Sequence, residues 1–179
     1  MILSKSKIIE EIDRNIFISP FNENQLNSNS YNLRISNKLL IYDSNILDMK
    51  TDNPYTEILI PDEGYILQPG ELYLASTFER TKTLKYIPRI EGRSSVARLG
   101  LFVHISASLG EAGFDGHWTL ELTCIKPLKI YPYTPICQIY YNEISGCVDL
   151  CESEKYQYNT GVETSKMYKE FHKKGDQLC

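Results

Sequence analysis

The chain of 179 residues has no C-x-x-C pair, no apolar run of membrane-spanning length and no surplus of basic residues. Each absence excludes a class of protein. Its five cysteines, Cys124, Cys137, Cys147, Cys151 and Cys179, are an odd number. With no signal peptide, a disulfide framework is not expected in a chain this size, and the thiols read as buried or incidental. Cys147 and Cys151 have a spacing that some metal sites use, but no second pair or nearby histidine completes a tetrahedral set. No membrane span is expected. The opening residues, Met1 to Ile12, interleave charge with isoleucine, unlike a secretory signal. A soluble, cytoplasmic protein is expected. The formal net charge of −4 argues against nucleic acid as a partner, because a phosphate backbone needs a basic face. A free nucleotide stays compatible: a few well-aimed cations suffice for a triphosphate, and Mg2+ neutralises much of the rest.

What is present fits one globular domain over residues 1–179. Hydrophobic content of 42% and charge of 23% are ordinary for a folded protein. Thirteen tyrosines favour strands and subunit interfaces. Ser4 to Asn15 reads as a short helix, capped by Ser4 or Ser6, with Ile8, Ile9 and Ile12 on one face. From Ser30 onward the chain becomes short runs of Ile, Leu, Tyr and Thr. Turn signals such as Asn53-Pro54, Asp62-Glu63-Gly64 and Pro69-Gly70 separate them, which indicates an all-β sandwich or barrel. Residues 151–179 form a polar tail with a short helix expected from Ser165 to His172. Tyr156, Tyr158, Met167, Tyr168 and Phe171 make that tail too apolar to stay solvated, so it should pack on this subunit or a neighbour.

Two adjoining blocks carry the chemistry. The first, G-R-S-S-V-A-R-L-G-L from Gly92 to Leu101, sets Arg93, Ser94, Ser95 and Arg98 around a glycine-led turn. Guanidinium forks and hydroxyls of this kind suit phosphate oxygens. The second, F-V-H-I-S-A-S-L-G-E-A-G-F-D-G-H-W-T-L-E-L from Phe102 to Leu122, ends with Glu121 between two leucines of a strand-like run. An acid so placed is a slip of register or a working group.

These blocks resemble the signature of the dCTP deaminase family, a branch of the dUTPase-like superfamily. The flanking S-N-S-Y-N-L-R (Ser28 to Arg34), L-Q-P-G-E-L-Y-L-A-S-T (Leu67 to Thr77), I-C-Q-I (Ile136 to Ile139) and K-Y-Q-Y-N-T-G-V-E-T-S (Lys155 to Ser165) follow the family's order. The resemblance implies a distorted β-barrel of the β-clip, dUTPase-like type, with a short N-terminal helix and an extended C-terminal segment. It also implies a homotrimer with active sites between subunits, in which the C-terminal segment of one subunit helps to close a site.

The resemblance assigns Glu121 the proton shuttle for hydrolytic loss of the cytosine amino group. A carboxylate with a pKa raised by burial suits that work. Ser94 and Arg98 resemble the pair that positions the attacking water and stabilises charge near C4. Arg93 and Ser95, with Val96 and Ala97 in the same turn, match triphosphate-binding positions; Thr119 and Leu120 lie in the substrate-binding strand beside Glu121. The loop from Ile105 to Phe114 should hold base and sugar, with Phe114 against the deoxyribose. Glu111 stands where most of the family has aspartate. Gln138 and Lys155 match nucleotide-binding positions, and Asn159 replaces a customary glutamine. His104 is expected to be structural and His117 a turn residue. Zinc deaminases carry H-x-E followed by P-C-x-x-C; neither occurs here, so a zinc-free reaction is expected, with Mg2+ carried by the triphosphate. The leading expectation is conversion of dCTP to dUTP and ammonia. Alternatives are a bifunctional enzyme continuing to dUMP and pyrophosphate, a pure dUTPase and a catalytically silent nucleotide-binding module.

Overall fold

A computed structural model describes residues 1–104, 106–151 and 155–172. The chain forms α1 (Lys5–Glu11), β1 (Ile16–Ser19), β2 (Tyr31–Tyr42), β3 (Tyr55–Leu59), β4 (Tyr65–Leu67), β5 (Tyr73–Thr77), β6 (Arg80–Thr83), β7 (Ile87–Gly92), α2 (Ser94–Ala97), β8 (Leu101–Val103), β9 (Asp115–Gly116), β10 (Thr119–Cys124), β11 (Leu128–Ile130), β12 (Pro135–Asn142) and α3 (Tyr168–His172). The main sheet runs β7-β12-β2-β5-β10-β8, with β3 added to β2. Smaller sheets, β1-β6-β9 and β11-β4, complete a distorted barrel.

β2 is the spine. Its first half pairs with β12 and its second half with β3 and β5, and the register with β5 shifts between Ile35 and Leu39. A second irregularity falls between Pro135 and Cys137 of β12. Such bulges bend strands and close sheets. Alternation fills the interior: Leu33 and Ile35 on β2, Leu120 and Leu122 on β10, and Cys137, Ile139 and Tyr141 on β12 are all fully buried.

Ser4 caps α1 through its side chain, as its sequence suggested. The inward face differs from expectation. Ile8 is fully buried, but Ile9 is 45% exposed and Glu11 takes the inward place. Helical spacing puts residues 8, 11 and 12 on one side, and Glu11 is tolerated there because Lys7 Nζ and Asn15 Nδ2 bond its carboxylate at 2.8 and 2.6 Å. Cys124 and Cys137 are buried and free, while Cys147 is exposed; Cys179 lies outside the described residues. Among the described residues no helix is long and apolar enough to cross a membrane.

Candidate active site

β10 alternates strictly. Leu120 and Leu122 enter the core, and Thr119 and Glu121 point to the other face. Leu74 of β5 lies opposite Glu121, and Val103 of β8 opposite Leu122. That register brings His104, the first residue beyond β8, against Glu121. The His104 backbone N–H donates to the Glu121 carbonyl at 2.9 Å, and Nδ1 meets Glu121 Oε2 at 2.6 Å. His104 has φ +53°, an unusual conformation for a residue with a Cβ and one that persists where surroundings enforce it. The Trp118 ring, edge-on at 5.9 Å, is part of that enforcement. His104 Nε2 is buried without a protein partner among the described residues.

This pair opens on a cavity of about 620 Å³. Phe114, His117, Trp118 and Thr119 line it from the loop and strand, and Tyr42, Leu72 and Leu74 form an apolar wall. Trp118 is fixed by its indole N–H, which donates to Thr81 Oγ1 at 2.8 Å. The loop closes on that indole because residue 110 is glycine: a Cβ there would lie 2.3 Å from the ring. Glu111, exposed, places a second carboxylate on the same cavity. Tyr156, Gln157 and Glu163 to Ser165 line it from the C-terminal segment. That segment is tied to its own chain, with Glu163 N–H donating to Thr119 Oγ1 at 3.1 Å and Ser165 N–H to the Tyr42 hydroxyl at 3.0 Å. These bonds hold the segment over this subunit's cavity.

The structure brings together Glu121, Thr119, Phe114, Glu111 and Asn159 of the residues singled out from sequence. It does not bring Arg93, Ser94, Ser95, Ala97 or Arg98 to them, since none lines the cavity. These belong to α2 and its ends, where Ser94, Ser95, Ala97 and Arg98 are exposed. Arg93 is held by its own fold, Nη1 donating to the Pro135 carbonyl at 2.9 Å. Val96 turns its side chain into the core, as does Leu120, so each has only its backbone to offer a ligand. Gln138 lies off the cavity and accepts from Ser30 Oγ at 2.9 Å. Lys155 is off it too and pairs with Glu170 of α3. Of the expected base-and-sugar loop, Ile105 lies outside the described residues, while Ala107, Leu109 and Gly110 reach the cavity.

Glu121 also departs from expectation in its surroundings. Its side chain is 37% exposed, so the acid is held by a partner and not enclosed by apolar walls. That partner, His104, escaped the sequence reading, which gave it a structural role. The available signal was its position one residue past a strand that pairs with T-L-E-L. His117 is likewise more than a turn residue. It lines the cavity with its Nδ1 bonded to the Thr77 carbonyl at 2.9 Å. Among the described residues no three His, Cys, Asp or Glu side chains converge to hold a metal ion.

Known proteins resemble this chain in sequence and fold. A protein of Clostridium beijerinckii named "dCTP deaminase, dUMP-forming" is 54% identical over 173 residues, 97% of this chain and 100% of that protein. One of Cytophaga hutchinsonii with the same name is 49% identical over the same shares of the two chains. The crystal structure of a 2′-deoxycytidine 5′-triphosphate deaminase from Agrobacterium tumefaciens superposes with a TM-score of 0.62 at 17% identity. It matches 78% of this chain, which spans about half (47%) of that one, and shows a common fold. Residues 2–144 match the family described as dCTP deaminase-like, and the chain belongs to that family.

Proposed function

We propose that this protein deaminates dCTP and carries the product on to dUMP and pyrophosphate. The observation that carries the proposal is the full-length similarity to relatives named as dUMP-forming. It favours the bifunctional alternative over release of dUTP, the leading expectation from sequence. The site supports the reading because the carboxylates of Glu121 and Glu111 face one cavity, while the third acid there, Glu163, is paired with Lys166.

In the first reaction Glu121 takes a proton from water as the oxygen attacks C4 of the cytosine and delivers it to ring N3. It then takes the proton of the new C4 hydroxyl and passes it to the amino group, which leaves as ammonia as the C4 carbonyl forms. His104 orients the carboxylate by donating from Nδ1 to Oε2, leaving the other oxygen toward the cavity. In the second reaction Glu111 orients water on the α-phosphorus, and the bond to the β-phosphate breaks to release pyrophosphate. Phe114 packs against the sugar, and the backbone of Thr119 and Leu120 offers hydrogen bonds to the base. The donor set around Glu121 does not suit a resident zinc ion, and Mg2+ enters bound to the triphosphate as part of the substrate.

The remaining groups come from another copy of the chain. Ser94 and Arg98 are exposed on α2 and do not line this subunit's cavity, and in this reading they complete a neighbour's site. Arg93, Ser95, Val96 and Ala97 accompany them as triphosphate contacts, and Gln138 and Lys155 serve the same ligand. A homotrimer with sites between subunits satisfies this, with the C-terminal segment from residue 151 onward closing each site.

Chromatography of products from dCTP and dUTP in parallel, with Mg2+ and a pyrophosphate-coupled readout, tests the proposal. Equal yields of dUMP and pyrophosphate from dCTP, without accumulated dUTP, are expected. Glu111→Gln should then stop the second product and spare the first. Accumulation of dUTP by the native protein would limit it to one reaction.

A further inference from the structure

β9 is the edge of its small sheet: it pairs with β6 on one side, Thr81 facing Gly116 and Lys82 facing Asp115. Its open side is covered by the C-terminal segment through an unusual set of bonds. Gln157 Oε1 accepts the Asp115 N–H at 2.8 Å, and its Nε2 donates to the Gly113 carbonyl at 2.9 Å. Tyr158 N–H donates to the Asp115 carbonyl at 2.8 Å. Asn159 Oδ1 accepts the His117 N–H at 2.7 Å, and its Nδ2 donates to the His117 carbonyl at 2.9 Å. Two primary amides and one peptide group thus imitate a strand along main chain that would otherwise present an unpaired edge.

The fit at Asn159 is close. The side chain is buried, and a Cβ on Gly116 would stand 2.4 Å from its Oδ1. From His117 the chain continues directly through Trp118 and Thr119 to Glu121, all of which line the cavity. Whatever fixes the His117 peptide therefore fixes one wall of the site.

We infer that Asn159 and Gln157 are positioning residues: they set the wall from His117 to Glu121 by clamping main chain, and docking of the C-terminal segment and shaping of the nucleotide cavity are one event. The inference deepens the proposed function and rests on the reading of this cavity as the nucleotide site. Asn159, matched from sequence to a nucleotide contact, has both ends of its amide engaged by His117. Aspartate is the discriminating replacement, because it keeps size and one acceptor but turns an oxygen toward the His117 carbonyl.

The test reads the clamp without nucleotide. Amide hydrogen exchange at His117 is measured in the ligand-free protein for the native chain and for Asn159→Asp, Asn159→Ala and Gly116→Ala, with kcat and KM for dCTP measured alongside. Protection of the His117 amide should fall about tenfold or more in all three variants, and kcat/KM should fall with it, even in Gly116→Ala, which retains Asn159. Core amides of Leu33 and Ile139 report whether the fold survives; if Gly116→Ala disturbs them, Asn159→Asp decides. Unchanged His117 protection in the Asn159 variants, with activity lost, would make Asn159 a direct nucleotide contact and overturn the inference. A native chain that fails to turn over dCTP would sink the proposed function instead, while the exchange measurement still settles the clamp.

Discussion

Glu79 and Glu121 are carboxylates set into the same β framework, and they are treated in opposite ways. Glu79 is fully buried, with both oxygens taken by Arg34: Nε donates to Oε1 at 2.6 Å and the backbone N–H to Oε2 at 2.8 Å. Arg34 in turn lies 4.6 Å over the Phe78 ring. Glu121 is 37% exposed, with one oxygen bonded to His104 and the other facing a cavity without a protein partner among the described residues. The partners differ as much as the exposure. Arg34 binds both oxygens of Glu79, whereas His104 offers a single ring nitrogen to one oxygen of Glu121. A saturated acid beside a permanent cation stabilises structure; an acid left half open, with one oxygen bonded and the other unpaired, is available for proton transfer.

The sharpest way to break this contrast is to replace both acids by glutamine. Glu121→Gln should lower deamination at least about 10²–10⁴-fold, because the amide cannot accept and return a proton. Its melting temperature should hardly move, as expected for a partly exposed side chain. Glu79→Gln should do the reverse. Arg34 would keep its charge without a counter-ion, a change that costs about 3–5 kcal/mol and lowers the melting temperature by roughly 10 °C. Thermal denaturation and turnover of the surviving folded fraction check both. A Glu79 variant with native stability, or a Glu121 variant keeping a tenth of its activity, would erase the distinction.

A finer contrast lies in His104. Asparagine tolerates positive φ and supplies an N–H close to where Nδ1 lies, so His104→Asn should lose about tenfold in kcat. Alanine supplies neither, and release of Glu121 from its bearing should cost about a hundredfold. Equal losses in the two variants would mean that the ring itself, and not the hydrogen bond, is what Glu121 requires.

The legible part of this molecule was what depends on neighbours in sequence. Glu121 stood out because two leucines flank it. The turn dipeptides marked an all-β chain, and the start of α1 followed from Ser4. The sequence hid what depends on register between distant segments. His104 meets Glu121 only because β8 and β10 pair with Val103 opposite Leu122. Asn159 meets His117 only because the C-terminal segment covers β9, 42 residues away in the chain. Ile9 was misplaced for a related reason: three isoleucines suggested an apolar face, but the barrel accepted Glu11 in place of one, given Lys7 and Asn15 to bond it. Arg93 to Arg98 read as one block with Glu121 along the sequence, and that none of them lines Glu121's cavity becomes visible only in three dimensions.

Glu11 offers the smallest and most graded comparison, because it is buried like Glu79 yet bonded to a lysine that reaches solvent. The hydrogen bond from Lys7, joined by that from Asn15, pulls the Glu11 carboxyl from its ordinary 4.5 down to about 2. A carboxyl whose folded pKa is depressed contributes stability that is fully present above its unfolded value. That contribution shrinks as pH falls from about 4.5 and is gone below about 2. The melting temperature of the native chain minus that of Glu11→Gln should therefore be positive and flat above pH 5, then decline toward zero in acid. Subtraction removes the other carboxylates, which titrate alike in both proteins. Lys7 is 36% exposed at its side chain, so salt should also shrink the difference, as it does for an ion pair in contact with water. A difference that stays constant down to pH 2 would mean that Glu11 contributes by packing alone, and α1 would then be anchored by Ile8 without help from charge.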